Sequence, residues 1–468
     1  MRTGFLSFNL YTSWLLICSS PICFAGDTLS TGQKIIGNET LTNLVSAGKI
    51  FELGFFTPDM SGGDSQRYLG IWYHKQEGSE QPQKQTVVWV ANRDSPVAVD
   101  STGVFQIAED GNLVVVDNTS GNIKRYWSST NSKVKNSSPK NMTVKLMDSG
   151  NLVLLDNDEH KGVKLWESFK NPTNTFLPGM KMERNLKLTS WRSVEDPGSG
   201  NFTFNMEQTI GVFGVNRFNI LNQDQIYWES EEYMTLTFRE KFDFDQVDDI
   251  NSEVYNLLTN FSLLEKKEQI PMENYGNTRL FIDSSGVIQW VDNNLLGGEL
   301  VKWMQPKTKC LTYNVCGNFA TCNDDDKVCK CLPGFYNEHR GRDKEGCKRR
   351  TSSSSWCTGN DTGFLNLTMI KTGRPDKMVT VQYEEDCASM CIEMCPQCQA
   401  YSYAPLPTNY QRSVSPTNCW IWTRNLTTLK EEYTNLDHDR RLIVLVDKSD
   451  IGTFQFFSIK IRHIHNCM

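Results

Sequence analysis

The sequence has no cysteine over most of its length, no marked excess of either charge, and few of the motifs that mark enzymes. No cysteine occurs between residues 26 and 309 of the 468-residue chain, so hydrophobic cores must hold this stretch together. A net charge of −7 argues against a nucleic-acid partner, because nucleic-acid binding requires a basic surface.

Catalytic signatures are missing as well. None of the six histidines belongs to an H-E-x-x-H or H-x-x-x-H pattern, and no phosphate-binding G-x-x-x-x-G-K-[ST] loop, H-R-D or D-F-G occurs. His463 and His465 could both contact a metal ion, but they lie in a basic tail, where solvated side chains are the favoured reading. We therefore predict a protein that is not an enzyme and that holds no metal or cofactor.

The N-terminus has the three parts of a secretory signal peptide. Arg2 gives it a positive start, a mostly apolar stretch follows, and Ala25 closes a run of small residues before Gly26. We predict cleavage after residue 25 and a secreted, extracellular product. Nine N-x-S/T sequons agree with that route and are predicted glycosylation sites. They are at Asn38, Asn118, Asn136, Asn141, Asn201, Asn260, Asn360, Asn366 and Asn425.

The first half of the chain reads as β-strands. Short aromatic and β-branched runs such as KIFELGFF, YLGIWYHK and QTVVWVAN are separated by Gly, Asn, Asp and Ser. No long apolar stripe with helical spacing appears before residue 250. The pattern predicts a mainly β protein built as a barrel, prism or sandwich.

Two segments repeat each other. The first repeat (104–129) and the second repeat (143–168) share Gly-Asn-Leu-Val, then an Asp-Asn pair, then Trp with Ser close behind. Repetition of this kind predicts stacked equivalent units. Together with LGIWY (69–73) and VVWVANRDSPV (87–97), the repeats resemble the bulb-type mannose-binding lectin domain.

Two further motifs extend the resemblance. LWESFKNPTNTFLPGMKM (165–182) and LTSWRSVEDPGSGNFTF (188–204) resemble the S-locus glycoprotein domain of plant S-domain receptor kinases. The resemblance implies tandem lectin-like β-barrels or prisms, a small disulfide-rich EGF-like module and an α+β PAN/apple domain. The predicted boundaries are signal peptide 1–25, lectin domain 26–155, S-locus domain 156–305, EGF-like module 306–348, PAN/apple domain 357–447 and an atypical tail 448–468.

A mannose site in this family uses the motif Q-x-D-x-N-x-V-x-Y. On the first repeat the motif positions hold Ala108, Asp110, Asn112, Val114 and Val116, so the glutamine and the tyrosine are lost. The second repeat departs further, with Met147, Ser149, Asn151, Val153 and Leu155. Each lost polar partner weakens a shallow site. We predict that Asp110, Asn112 and Val114 are the remains of a carbohydrate site and that Asp110 and Asn112 shape a turn.

The first cysteine module holds six cysteines between residues 310 and 347, spaced C-x5-C-x5-C-x6-C-x-C-x15-C. A segment this short must rely on disulfides, although the spacing alone leaves the pairing open. Zinc and calcium fit less well, because neither histidines at ligand spacing nor carboxylates before Cys310 are present. The EGF-like resemblance implies the pairs Cys310–Cys322, Cys316–Cys329 and Cys331–Cys347.

The second cysteine module runs from residue 357 to residue 419. Cys387, Cys391 and Cys395 follow one another at helical spacing, which predicts that they share a helix face. CPQC within it could be a redox pair, but the secreted context favours structural bonds. The PAN/apple resemblance implies Cys387–Cys419, Cys391–Cys398 and Cys357–Cys395. This count leaves Cys467 unpaired, which suggests intermolecular pairing or an artefact.

Recognition by surface remains as the predicted activity. The family implies that the S-locus domain binds small cysteine-rich peptides and that ectodomains form homodimers or pair with a full-length receptor kinase. Residues 222–249 are acidic and aromatic, which suits a basic peptide. The predicted peptide-ligand face consists of Tyr227, Trp228, Glu231, Glu232 and Asp243; an ordinary edge strand with solvated charge is the alternative.

The last residues decide between two readings of the chain. In the family, a membrane helix and a kinase domain follow the PAN domain. After Ile451 only eight residues precede Lys460, fewer than the roughly 20 needed to span a membrane. We predict a secreted recognition glycoprotein; an incomplete sequence of a transmembrane serine/threonine receptor kinase is the alternative, and a mannose-binding defence lectin is a third.

Overall fold

The computed structural model describes twenty stretches of the chain. They are residues 26–37, 42–58, 66–75, 85–98, 101–117, 123–130, 141–157, 162–209, 215–230, 233–234, 252–259, 278–294, 298–323, 328–338, 346–350, 361–368, 370–373, 375–404, 418–431 and 441–448. The chain divides into two compact units. The first comprises residues 1–180, 191–200 and 295–297, and the second comprises 181–190, 201–294 and 298–468.

The first unit is built from short antiparallel strands, as the alternating aromatic and β-branched residues predict. Its strands are β1 (Thr28–Ser30), β2 (Lys34–Ile36), β3 (Leu44–Val45), β4 (Phe51–Phe56), β5 (Tyr68–Tyr73), β6 (Val87–Val90), β7 (Val104–Ile107), β8 (Leu113–Asp117), β9 (Lys124–Ser128), β10 (Met142–Leu146), β11 (Leu152–Asp156), β12 (Val163–Glu167) and β13 (Thr175–Phe176). They form three four-stranded sheets, ordered β3-β4-β5-β6, β2-β7-β8-β9 and β1-β10-β11-β12.

The three sheets are equivalent around a shared tryptophan cluster. Each sheet places one tryptophan of its last strand beside a β-bulge: Trp89 opposite Ile71, Trp127 opposite Val115 and Trp166 opposite Leu154. The three indole centroids are 5.8, 6.0 and 5.7 Å apart and meet edge to face. The first unit is therefore a three-sided β-prism, and residues 51–91 form a third repeat that precedes the two visible in the sequence.

The third sheet of the prism continues past residue 155, where the sequence predicts that the lectin domain ends. The third sheet needs β12, whose residues pair with β11 from Val153 to Asp156. A boundary after residue 155 would fall inside β11 and remove Trp166 from the tryptophan cluster. The prism therefore extends at least to β12, because each of its three sides requires a fourth strand.

Residues 187–305, most of which belong to the second unit, form two further sheets and one helix. The elements are β14 (Lys187–Trp191), β15 (Ser199–Thr209), β16 (Val215–Asn222), β17 (Gln225–Glu229), β18 (Tyr233–Met234), α1 (Ser252–Thr259), β19 (Thr278–Ile282), β20 (Ile288–Asn294) and β21 (Gly298–Gln305). One sheet runs β14-β15-β16-β17, and β19, β20 and β21 are neighbours in another. Phe204 stacks on Phe218 at 5.8 Å, and Tyr255 of α1 meets Phe218 edge to face, so the helix closes the core.

The two cysteine modules complete the second unit. The first contains β22 (Ala320–Asn323), β23 (Val328–Cys331), β24 (Phe335–Tyr336) and β25 (Lys348–Arg349). The second contains β26 (Thr362–Thr368), β27 (Ile370–Lys371), β28 (Lys377–Val379), α2 (Glu384–Glu393), β29 (Ala400–Tyr403), β30 (Cys419–Trp422), β31 (Leu429–Glu431) and β32 (Arg441–Asp447). A five-stranded sheet ordered β26-β32-β29-β30-β28 packs against α2, the α+β arrangement predicted for this module.

The two cysteine modules share one core, although the sequence predicts them as separate domains. β22 of the first module pairs in parallel with β31 of the second, and Thr321 stands opposite Leu429. Phe319 and Phe335 belong to the same hydrophobic cluster as Trp422 of the second module. The boundary between residues 348 and 357 therefore does not separate two independent cores.

Five disulfides join described residues, and they coincide with pairs that the resemblance implied. They are Cys310–Cys322, Cys316–Cys329, Cys331–Cys347, Cys387–Cys419 and Cys391–Cys398. Cys387–Cys419 ties α2 to β30. Cys395 is disulfide-bonded too, but Cys357, its predicted partner, lies outside the described residues.

The predicted helix face of three cysteines is wrong for its last member. α2 ends at Glu393, and Cys395 lies in the turn beyond it. The reason is Pro396, because the residue before a proline is displaced from helical geometry. Cys387 and Cys391 remain on the buried face of α2, where both are fully buried.

Candidate functional site

The candidate carbohydrate residues of the first repeat lie in the turn before β8 and on β8 itself. The Asp110 carboxylate accepts the Asn112 backbone N–H at 3.0 Å, and Gly111 between them has a φ of 77°, which favours glycine. The Asn112 side-chain oxygen accepts the Ser129 hydroxyl at 3.4 Å. Both residues therefore shape the turn, as the local sequence predicts.

A side chain that the motif did not indicate engages the Asp110 carboxylate. Arg125 of β9 stands opposite Val116, and its guanidinium lies 3.4 Å from the carboxylate. Partial burial raises the pKa of Asp110, but hydrogen bonds from Asn112 and the Arg125 charge outweigh it and hold this pKa below its usual value. Val114 is 1% exposed. The face that a sugar would approach therefore carries an internal ion pair beside a covered valine.

The second repeat closes its face with a larger network. Glu167 of β12 stands opposite Val153, and its carboxylate accepts the Asn151 side-chain N–H at 3.0 Å. Lys164 and Lys170 each place an ammonium group on the same carboxylate, at 2.8 and 3.0 Å. Burial raises the pKa of Glu167, but the hydrogen bonds from Lys164, Asn151 and Lys170 lower it overall to about 2.

This carboxylate predicts an acid-sensitive prism. A Glu167 pKa depressed from about 4.3 in the unfolded chain favours the folded state above pH 4.3. That stability is lost progressively as the pH falls from about 4.3 towards 2. We expect Glu167→Gln to flatten this part of the curve of unfolding free energy against pH, measured by urea unfolding. Glu195→Gln, at an exposed turn, is the matched control; equal pH curves for the two variants would refute the assignment.

The sheet β3-β4-β5-β6 closes its face with an aromatic ring. Gly70 of β5 is equivalent to Val114 of β8. Each comes one residue before the residue that stands opposite the tryptophan of its sheet, which is Ile71 in β5 and Val115 in β8. A Cβ at Gly70 would lie 2.6 Å from the Phe56 ring, so the ring occupies that space. Phe56, Tyr68 and Trp72 form one buried cluster. In each of the three sheets of the prism, side chains of the chain itself thus contact the motif positions or their equivalents.

The predicted peptide-ligand face is only partly described. Tyr227 of β17 is half-buried, and its ring meets Phe202 edge to face at 4.9 Å. Burial, and to a lesser extent the Asp283 charge, raises the pKa of Tyr227. Trp228 is 1% exposed and packs in the core, so its prediction as a surface anchor is wrong. Glu231, Glu232 and Asp243 lie outside the described residues.

The sequons differ in exposure. Asn141, Asn201 and Asn425 are exposed, whereas Asn366 is half-buried on β26. The remaining sequon residues lie outside the described stretches, as do the predicted signal peptide and the tail beyond residue 448. These remaining sequon residues are Asn38, Asn118, Asn136, Asn260 and Asn360.

Three protein-family models match parts of the chain. Residues 86–195 match the D-mannose binding lectin family, residues 228–339 the S-locus glycoprotein domain, and residues 347–429 the PAN-like domain. The matches follow the order predicted from the motifs.

Similar proteins include receptor kinases of Arabidopsis thaliana. A G-type lectin S-receptor-like serine/threonine-protein kinase is 38% identical over 91% of this chain and 47% of its own length. A second protein of that name is 30% identical over 92% of this chain and 51% of its length. A receptor-like serine/threonine-protein kinase is 31% identical over 91% of this chain and 48% of its own length.

The chain spans about half the length of these curated relatives, and all three matched domains are of the ectodomain type. Neither helix in the described part of the chain is long and apolar enough to cross a membrane. The chain therefore carries a lectin, an S-locus glycoprotein and a PAN-like domain in that order, and it is similar over nine-tenths of its sequence to a G-type lectin S-receptor-like kinase.

Proposed function

We propose that the chain is an extracellular recognition glycoprotein without catalytic activity of its own. It binds an extracellular peptide or glycan ligand, or pairs with a full-length S-domain receptor kinase. Its lectin prism serves as a scaffold, and mannose binding is lost. Five disulfides and three exposed sequons support an oxidising, secretory route.

The observation that carries this proposal is that the chain's own side chains engage the motif positions in all three sheets of the prism. Arg125 holds Asp110, two lysines hold Glu167, and the Phe56 ring fills the space above Gly70. A sugar would have to break an ion pair or displace a packed ring before it gained its own hydrogen bonds. A peptide ligand on another surface meets no such cost, and we favour it.

The proposal is tested by secreting the full chain from plant cells and measuring its binding to size-fractionated extracellular peptides. We expect the glycoprotein in the apoplastic fluid and saturable binding to a peptide fraction. Reduced and alkylated protein is the control and should lose this binding, because the cysteine modules depend on disulfides. Retention of the protein inside the cell, or no saturable binding to any fraction, would contradict the proposal.

A second candidate is the sensor half of a transmembrane serine/threonine receptor kinase. It is favoured by the relatives, which are named as kinases and of which the chain covers about half. Sequencing the transcript across the codon of Ile451, together with membrane fractionation, distinguishes the candidates. A message that continues into a hydrophobic segment and kinase motifs would select the receptor.

A further inference from the structure

A cluster of polar side chains lies on one face of the sheet β14-β15-β16-β17. The opposite face holds the core residues Phe204 and Phe218, both fully buried. Successive side chains of a strand point to opposite faces, so the residues between these core positions share the polar face. The polar cluster consists of Asn205 and Glu207 on β15, Arg217 and Asn219 on β16, and Glu229 on β17.

The strand register brings these five side chains together. Asn205 stands directly opposite Asn219, and Glu207 opposite Arg217, while Asn219 also faces Glu229. The Asn219 side-chain N–H donates to the Glu207 carboxylate at 3.4 Å. The Arg217 guanidinium lies 3.9 Å from the Glu207 carboxylate and 4.0 Å from that of Glu229.

Two hydrogen-bond acceptors in the polar cluster have no donor among the described residues. The side-chain oxygens of Asn205 and Asn219 are buried, and neither accepts a hydrogen bond within the part of the chain that the structure describes. Asn219 as a whole is only 7% exposed. Buried polar atoms are nearly always hydrogen-bonded, so two buried amide oxygens on facing residues need a donor that the described residues do not supply.

The charge of the polar cluster selects the kind of donor. The polar cluster itself contains two carboxylates and one guanidinium, and this excess of carboxylates favours a cationic group over a neutral sugar. A divalent metal ion is disfavoured, because the described residues contain no group of three or more His, Cys, Asp or Glu side chains that could hold one. Glu207 has a side chain that is 58% exposed and offers the approach from solvent.

We infer that the polar cluster binds the ammonium or guanidinium group of a basic side chain in an extracellular peptide. The inference rests on the proposed recognition function and names the chemical class of its ligand. The oxygens of Asn205 and Asn219 accept hydrogen bonds from the cation, and the Glu207 carboxylate supplies a charge-assisted bond.

The test uses a fluorescent peptide of alternating lysine and glycine as the probe, with its fully acetylated form as the uncharged control. Thermophoresis should detect binding of the lysine form alone. Glu207→Gln should weaken that binding about tenfold, the effect of losing one charge-assisted hydrogen bond. Asn205→Leu should also weaken it while leaving the thermal midpoint unchanged or higher, because an unpaired buried oxygen is removed.

Glu299→Gln is the matched control for non-specific attraction. Glu299 is a partly exposed carboxylate on β21 paired with Arg279 at 2.7 Å, so its replacement removes the same charge elsewhere in the second unit. We expect this variant to bind the probe as the unmodified protein does.

Several outcomes would overturn the inference. They are equal weakening in Glu207→Gln and Glu299→Gln, no binding of the lysine probe, equal binding of the acetylated form, and displacement of the probe by mannobiose. If natural peptide fractions bind Glu207→Gln as well as the unmodified protein, the inference fails and the proposed function stands. If no fraction binds the unmodified protein, the proposed function fails.

Discussion

Replacement of Trp89 by alanine is expected to destabilise the lectin prism by about 3–5 kcal/mol, the usual cost of deleting a large buried aromatic side chain. Trp89 is 5% exposed, contacts both other indoles of the tryptophan cluster, and donates its indole N–H to the Asn171 carbonyl at 2.9 Å. Its loss would open a cavity where all three sheets meet. Urea unfolding followed by circular dichroism measures the effect.

Two further variants separate packing from hydrogen bonding at this position. Trp89→Phe keeps a ring but leaves the Asn171 carbonyl without its donor, so we expect a smaller loss, about 1–3 kcal/mol. Ile123→Ala, at a side chain that is 72% exposed, should change stability by less than about 0.5 kcal/mol. A loss below about 1 kcal/mol for Trp89→Ala would show that the tryptophan cluster does not hold the sheets together.

Replacement of Arg349 by alanine is expected to loosen the shared core of the two cysteine modules. The Arg349 guanidinium lies over the rings of Phe319 and Phe335, at 5.5 and 4.9 Å, within the first module. It donates to the Leu445 carbonyl and to the Gln399 side chain, at 2.8 Å for the latter, both in the second module. Cation–π contact and charged hydrogen bonds together suggest a loss of about 3 kcal/mol.

Hydrogen exchange at the β32 amides and calorimetric unfolding measure this loss. Arg349→Lys should recover part of it, because an ammonium keeps the charge but not the planar fork of donors. Arg350→Ala is the matched control, since Arg350 is the exposed neighbour on the same segment. If the β32 amides exchange hydrogen at the same rate in Arg349→Ala as in Arg350→Ala, the two modules do not depend on this contact.

The sequence predicted those parts of the fold that depend on local pattern. Strands β4, β5 and β6 coincide with the short aromatic and β-branched runs, because the strand preference of these residue types is a local property. Two of the three prism repeats were visible through Gly-Asn-Leu-Val. The third was not, because its strand β5 reads Tyr-Leu-Gly-Ile-Trp and only the position of Trp89 reveals the equivalence.

Contacts between residues that are far apart in the chain could not be predicted from the sequence. Arg349 and Leu445 are 96 residues apart, and no periodicity relates them. Arg125 and Glu167 lie outside the mannose motif, so the motif does not indicate their ion pairs. The only local signal is a charged residue near the tryptophan of each repeat. Trp228 was misplaced because the side of a strand that meets the core depends on sheet packing.

The most direct test of this account is a calorimetric titration of the secreted chain with D-mannose and with mannan. The account predicts no saturable heat up to about 10 mM sugar, a concentration that detects a site with only about −2.7 kcal/mol of binding free energy. Saturable binding at or below that concentration, abolished in Asp110→Ala or Asn112→Ala, would contradict it and make the prism a working lectin.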